Sequence, residues 1–146
     1  MIIKLENDRD CTEIAVQIRY NEKIHNVKRI EQLLRSLDCE IPCNIEKEEV
    51  RVAASDIYYI ESVDKHSFVY CEDKVYQTGL RLYQLEEELP AAGFVRISKS
   101  CIVNIKVMQS IKPMHNSRLE ATLINGEKLT VTRKYIHEIR TRLEER

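Results

Sequence analysis

Glycine occurs only three times in the 146 residues, at positions 79, 93 and 126. A backbone that cradles phosphate needs several glycines at fixed spacing, so neither a P-loop nor a dinucleotide fingerprint can be written here. That weighs against the common nucleotide-using enzymes. Tryptophan is absent, and Phe68 and Tyr70 fall in a strand pattern that suits core packing, which leaves few aromatics for the base-stacking platform of an RNA reader. No run of about 18 apolar residues occurs, which argues against a transmembrane helix. The opening MIIKLENDRDCTE meets acids after five residues, where a signal peptide needs a longer apolar stretch behind basic residues. These absences point to the cytoplasm and to no membrane insertion. The five cysteines, at 11, 39, 43, 71 and 101, are odd in number and irregularly spaced, a poor disulfide framework. Cys39 and Cys43 are not followed by paired histidines, so zinc is not favoured. No metal and no cofactor are expected.

Enough is present for one ordinary domain: 43% of residues are hydrophobic and 32% charged, which supplies a core and a soluble surface. The net charge of −1 hides an asymmetry. Residues 1–93 hold 12 Lys/Arg against 19 Asp/Glu, a balance of −7, whereas residues 94–142 hold 10 against 3, a balance of +7. A basic half suits a polyanion, although it suits a solvated basic face equally well.

Periodicity divides the chain near residue 50. Ile14, Val16 and Ile18 alternate with polar neighbours over 13–20, which predicts a half-buried strand. Val27, Ile30, Leu33, Leu34 and Leu37 lie on one helical stripe over 26–37, with Asn26 as a candidate cap. Pro42 is set against a continuing helix, and 46–49 reads as a charged turn. Residues 1–49 thus read as a strand-helix-strand extension. From 50 onward the period is two, and strands are expected at 50–53, 57–62, 67–72, 74–78, 94–97, 101–105, 118–124 and 128–132. Asn125-Gly126 predicts a type I′ hairpin. Leu82, Leu85 and Leu89 mark one short helix, ended by Pro90 and Gly93. Ile136, Ile139 and Leu143 mark another. The fold class is mainly β, with residues 50–146 as its principal domain.

Three polar sites stand out. Asp64, His66 and Ser67 share a turn. Adjacent residues rarely give a nucleophile–base–orienter geometry, so the turn reads as a polar hairpin tip or a ligand-reaching loop rather than a hydrolase site. In FVRISKSCIVN, strand residues on both sides hold Ser98-Lys99-Ser100, and a lysine between hydroxyls suits a phosphate or a base edge. A solvated turn is the plainer alternative. Finally, Thr132, a candidate N-cap, leads into Arg133 and Lys134 at a helix start, where the dipole disfavours cations. An anionic partner would explain the pair, and so would plain solvation.

The runs DIYYIESVDKHSFVY, LRLYQLEEEL, GFVRISKSCIVNIKVMQSIKP and RLEATLINGEKLTVTRKYIHEIRTRL, in this order, resemble a LytTR-type DNA-binding domain. The resemblance covers about residues 50–146. It implies an elongated β-β-β fold of about ten short strands in three small sheets with two short helices. It implies major-groove reading by loops, with base contacts from Lys65-His66, from Ser98-Lys99-Ser100 and from Arg133. Many members have Tyr or Phe where this chain has Cys101. Many carry a phosphoreceiver, for which the first 49 residues offer no room. The chain is similar instead to small stand-alone LytTR regulators, some of which occur beside a small membrane protein that can control them.

The resulting expectation is a non-enzymatic bacterial transcriptional regulator, response regulator-like, that binds double-stranded DNA. His66, Lys99 and Arg133 are the candidate base readers. Lys65, Arg96, Ser98, Ser100, Arg118 and Lys134 are the candidate phosphate contacts. A homodimer on repeated half-sites and a regulatory membrane protein are further partners the resemblance admits. The rival readings are a module that binds an acidic protein through its basic half, an RNA-binding β domain, and an enzyme.

Overall fold

A computed structural model describes residues 1–90 and 93–144. Its elements in chain order are α1 (Val27–Leu37), β1 (Glu40–Ile45), β2 (Glu48–Ala53), β3 (Tyr59–Val63), β4 (His66–Tyr70), β5 (Val75–Thr78), α2 (Leu82–Glu88), β6 (Phe94–Ser98), β7 (Cys101–Asn104), β8 (Met108–Pro113), β9 (Leu119–Leu123), β10 (Lys128–Val131) and α3 (Ile136–Glu144). Short 3₁₀ turns occupy Ala54–Asp56, Ile105–Val107 and Arg133–Tyr135. The ten strands form two antiparallel sheets. One has seven strands in the order β2-β1-β5-β4-β3-β7-β6, the other three in the order β10-β9-β8. The mainly β class holds, in two sheets rather than the three that the family resemblance implied, because β1 joins its hairpin to β5 through Asn44 and Gln77.

The large sheet is covered on both faces where β3, β7 and β6 meet. Successive residues of a strand point to opposite faces. Thus Tyr59, Val95, Ile97, Cys101 and Val103 join one core with Leu119, Ala121, Leu123, Val131 and Ile139 of the small sheet and α3. Ile60, Phe94 and Ile102 join the other with Ile41, Ile57, Val69, Leu82 and Leu85. This is why 101–103 reads as an unbroken apolar run rather than an alternation. Asn104, only 2% exposed, is satisfied there: its Nδ2 donates to the Ile57 carbonyl at 2.8 Å and its Oδ1 accepts from the Lys106 amide at 3.1 Å.

Several local expectations need correction. Residues 13–20 form no ladder with any described segment, and Ile14 is 92% exposed. The alternation is real, but no strand of the described residues pairs with it. Asn26 precedes α1 without a side-chain capping bond. Strand β8 has too little alternation, MQSIKP, to be seen in advance, and it is held as the edge partner of β9. The Asn125-Gly126 turn is not type I′. Gly126 has φ 89° but Asn125 is not in the left-handed region. The Ile124 amide donates to Val107 and the Leu123 amide to Glu127, both at 2.8 Å. The loop therefore has three residues, of which only the last needs positive φ. The two-residue turns with positive φ at both positions are Glu46-Lys47 (50° and 68°) and Asp64-Lys65 (49° and 68°). The division expected between residues 49 and 50 falls inside β2, and β1, on its N-terminal side, sends the buried Ile41 and Cys43 into the core.

Candidate nucleic-acid interface

Antiparallel pairing gathers the three polar sites at one end of the large sheet. Strand β3 pairs with β7 as far as Glu61 and Cys101, so the chain beyond Glu61 and the chain before Cys101 leave the sheet together. The Ser62 amide donates to the Ser100 carbonyl at 2.8 Å, which fastens the β3–β4 hairpin to the β6–β7 turn. In β6 the register against β7 shifts between Arg96 and Ser98, a bulge at Ile97 that re-aims the end of the strand. The Ile97 carbonyl accepts from the Thr132 amide at 2.9 Å and faces the Thr132 hydroxyl at 3.4 Å. Thr132 thus occupies the cap position, but its hydroxyl fastens the end of β10 to β6 instead of capping a helix. A third link follows at once: Arg133 Nε donates to the Asn116 carbonyl at 3.2 Å and draws in the β8–β9 loop that carries Arg118.

The side chains on this edge differ in what they are free to do. His66 opens β4 and is exposed. Gln77 Nε2 lies 3.1 Å from its Nδ1. An amide nitrogen can only donate, so in this contact Nδ1 is the acceptor. Lys99 is exposed at the tip of its turn. The Ser100 amide donates to Ser98 Oγ at 3.2 Å, and the two serine hydroxyls are 3.4 Å apart, which shapes the turn beneath it. Lys65, Arg118, Arg133 and Lys134 are exposed, and the Lys134 ammonium lies 5.6 Å from the Tyr135 ring centroid.

Arg96 is the exception among the expected phosphate contacts. Its guanidinium is paired with the Glu86 carboxylate of α2 and also donates to the Lys99 carbonyl. It holds the turn rather than facing outward. Arg96, Lys99, Glu86, Tyr135 and Glu138 line an open cleft of about 300 Å³. Beside it, burial and then Glu61 push the Cys101 thiol up to about 12, against the opposing Arg96 charge, so Cys101 is a neutral packing group.

Sequence reasoning does not single out Arg81 or Gln77, and both belong to this edge. Arg81 Nη1 donates to the Lys65 carbonyl at 3.0 Å and steadies the hairpin tip. Gln77 is paired with Phe68 in the β4–β5 ladder, diagonal to His66. Only the register reveals that neighbour.

Comparisons with known proteins identify the family. The LytTr DNA-binding domain family model matches residues 47–144. Sensory transduction protein LytT of Enterococcus faecalis is 32% identical over 103 residues, 70% of this chain and 43% of that protein. LytT of Bacillus subtilis is 26% identical over 84% of this chain and 51% of its own length. This chain therefore spans about half the length of these relatives. An uncharacterized HTH-type transcriptional regulator of Staphylococcus aureus is 28% identical over 90% of both chains. A solved LytTr DNA-binding domain from Bacillus cereus is 26% identical, with a TM-score of 0.68 over 73% of this chain and 97% of that one.

Proposed function

Because this chain belongs to the LytTr DNA-binding domain family, we propose that it is a transcriptional regulator that reads duplex DNA sequence by major-groove contact through the loops at one end of its large sheet. The supporting observation is the set of hydrogen bonds that ties Lys65-His66, Ser98–Ser100 and Thr132–Lys134 into one edge. Loops suit the task because no two α-helices of the described residues follow one another; strands separate α1, α2 and α3. A recognition helix preceded by a helical partner is therefore not at hand.

His66, Lys99 and Arg133 are the base readers in this proposal. Arg133 can bond a guanine O6 and N7 with its planar fork. Its Nε is already engaged with Asn116, which orients the guanidinium and leaves the two terminal nitrogens for DNA. Lys65, Ser98, Ser100, Arg118 and Lys134 meet phosphates, which fixes the position of the protein without reading sequence. Arg96 positions the Lys99 turn.

The test is titration of variants against a duplex selected from a random pool and against random duplex. Arg133→Ala loses about 1–3 kcal/mol on the selected duplex and less on random DNA. Arg133→Lys keeps the charge, so its loss falls mainly on the ratio between the two. Folding stability changes by about 1 kcal/mol or less, one exposed hydrogen bond. Selected-site binding equal to wild type places the reading surface elsewhere. Stronger competition by an acidic protein than by DNA supports the protein-binding reading instead.

A further inference from the structure

Residues 12–20 alternate like a strand built to pair, yet they form no backbone ladder with any described residue, and all but the half-buried Ile18 are exposed. A turn precedes them, with the Cys11 amide donating to the Asp8 carbonyl at 3.2 Å, and a turn follows, with the Ile24 amide donating to the Asn21 carbonyl at 2.8 Å. Between the turns no backbone ladder forms among the described residues. Val16 is 60% exposed and Ile14 more so. The helix that follows is also incompletely covered: Val27, Ile30, Leu33 and Leu34 are only half-buried and Leu37 is exposed, although α1 touches the 54–56 turn.

Laid antiparallel against a second copy about Val16, the stretch sets its alternate apolar residues against one another and its two charges against their opposites. Reversed and laid against itself, Ile14 meets Ile18, Val16 meets Val16, and Glu13 meets Arg19. We propose that these residues form an antiparallel two-stranded ribbon with the same residues of a second copy, with the two-fold axis at Val16. Residues facing each other across strands decide such pairings, and opposite charges favour the match. The ribbon carries the Glu13–Arg19 pair twice, as an isologous contact requires. A slip of one residue turns the apolar set against the polar set, and a slip of two separates Glu13 from Arg19. The partner is a second copy rather than an acidic or basic protein, because residues 1–25 hold 4 Lys/Arg against 5 Asp/Glu and offer no net charge to attract either. A two-stranded ribbon is marginal alone. The half-covered stripe of α1, joined through the 21–24 turn, supplies the apolar face that each copy needs to cover it.

The experiment measures the mass of the full chain by light scattering and sedimentation equilibrium, without DNA. The wild type is a dimer at tens of micromolar. Val16→Lys places two cations on the axis and gives a monomer. Glu13→Arg alone sets like charges against Arg19 and raises the dissociation constant at least tenfold. Adding Arg19→Glu to Glu13→Arg restores the dimer. In a Cys11→Ser background, Val16→Cys gives a disulfide-linked dimer on mild oxidation, whereas Cys11→Ser alone does not. A monomeric wild type, a dimer that survives Val16→Lys, or a double charge swap that fails to restore association each overturns the proposal. The measurement is separate from DNA reading, since Arg133→Ala remains a dimer and the Val16→Lys monomer keeps its affinity for a single site.

Discussion

Arg96 and Lys99 stand three residues apart on one turn and use their charges differently. Lys99 is exposed, whereas the Arg96 guanidinium is enclosed by Glu86 and the Lys99 carbonyl. The pair is partly exposed, so its direct contribution to folding is small, about 1 kcal/mol or less. Its effect belongs to the geometry of the turn. Glu86→Gln leaves Arg96 without its counter-ion and loosens the Lys99 carbonyl. It also removes a negative charge from the rim of the cleft. The ratio of selected-site to random-site affinity therefore falls about fivefold, about 1 kcal/mol, while affinity for random DNA holds or rises slightly. Paired titrations on the two duplexes check this, and an unchanged ratio reduces the ion pair to a structural role. At this scale the sequence displays which cations exist but not which are occupied. Lys99 and Arg133 are legible from their neighbours, whereas Arg96 lies in the same basic segment and is distinguished only by a carboxylate ten residues away, on α2.

Strand β1 carries the clearest consequence at the level of elements. It pairs with β2 along its whole length, from Glu40 opposite Ala53 to Ile45 opposite Glu48. It buries Ile41 and Cys43, and Thr78 Oγ1 donates to the Pro42 carbonyl at 2.9 Å. A protein beginning at residue 50 loses this strand and exposes part of the core around Val52 and Val69. Loss of one buried isoleucine alone costs about 2–5 kcal/mol, a large share of the roughly 5–15 kcal/mol that holds a domain. A protein beginning at residue 38 keeps the strand. Urea melts of the two truncations give a midpoint close to wild type for the longer one and a much lower midpoint for the shorter. The longer one also keeps single-site DNA affinity within about twofold. Most elements were legible because their apolar period is strong, as in 57–62, 94–105 and 118–132. The failures have physical causes. The 13–20 alternation has no ladder partner among the described residues, and β8 is an edge strand with one buried residue, Met108. The Asn-Gly dipeptide has the composition of a type I′ turn, but the Val107 carbonyl claims the Ile124 amide and lengthens the loop. The positive-φ turns fall on Glu-Lys and Asp-Lys, where register, not residue preference, sets the backbone.

Across the whole molecule the decisive quantity is the placement of charge. Residues 94–142 carry a balance of +7 and residues 1–93 a balance of −7, so the overall −1 describes neither region. The fold brings exposed cations from four separate segments to one edge of the large sheet: Lys65, Arg81, Lys99, and Arg133 with Lys134. Arg118 stands close by on the loop tied to Arg133. Glu86 and Glu138 line the cleft beside Lys99 and subtract from that field. If about five phosphates are neutralised per domain, the logarithm of the binding constant falls against the logarithm of salt concentration with a slope of roughly −4 to −5. Between 50 and 200 mM salt, that slope removes a factor of several hundred, on the order of 10²–10³ in affinity. Residues 1–25 hold nearly balanced charge, 4 Lys/Arg against 5 Asp/Glu, so their deletion is expected to leave the slope for a single site unchanged within about one unit. Lys134→Ala makes it shallower by about one. Titrations of one half-site duplex at four salt concentrations decide the matter. A slope near zero separates the basic edge from phosphate binding altogether. A steep slope that Lys134→Ala and Lys99→Ala leave untouched locates the phosphate contacts on a different face of the molecule.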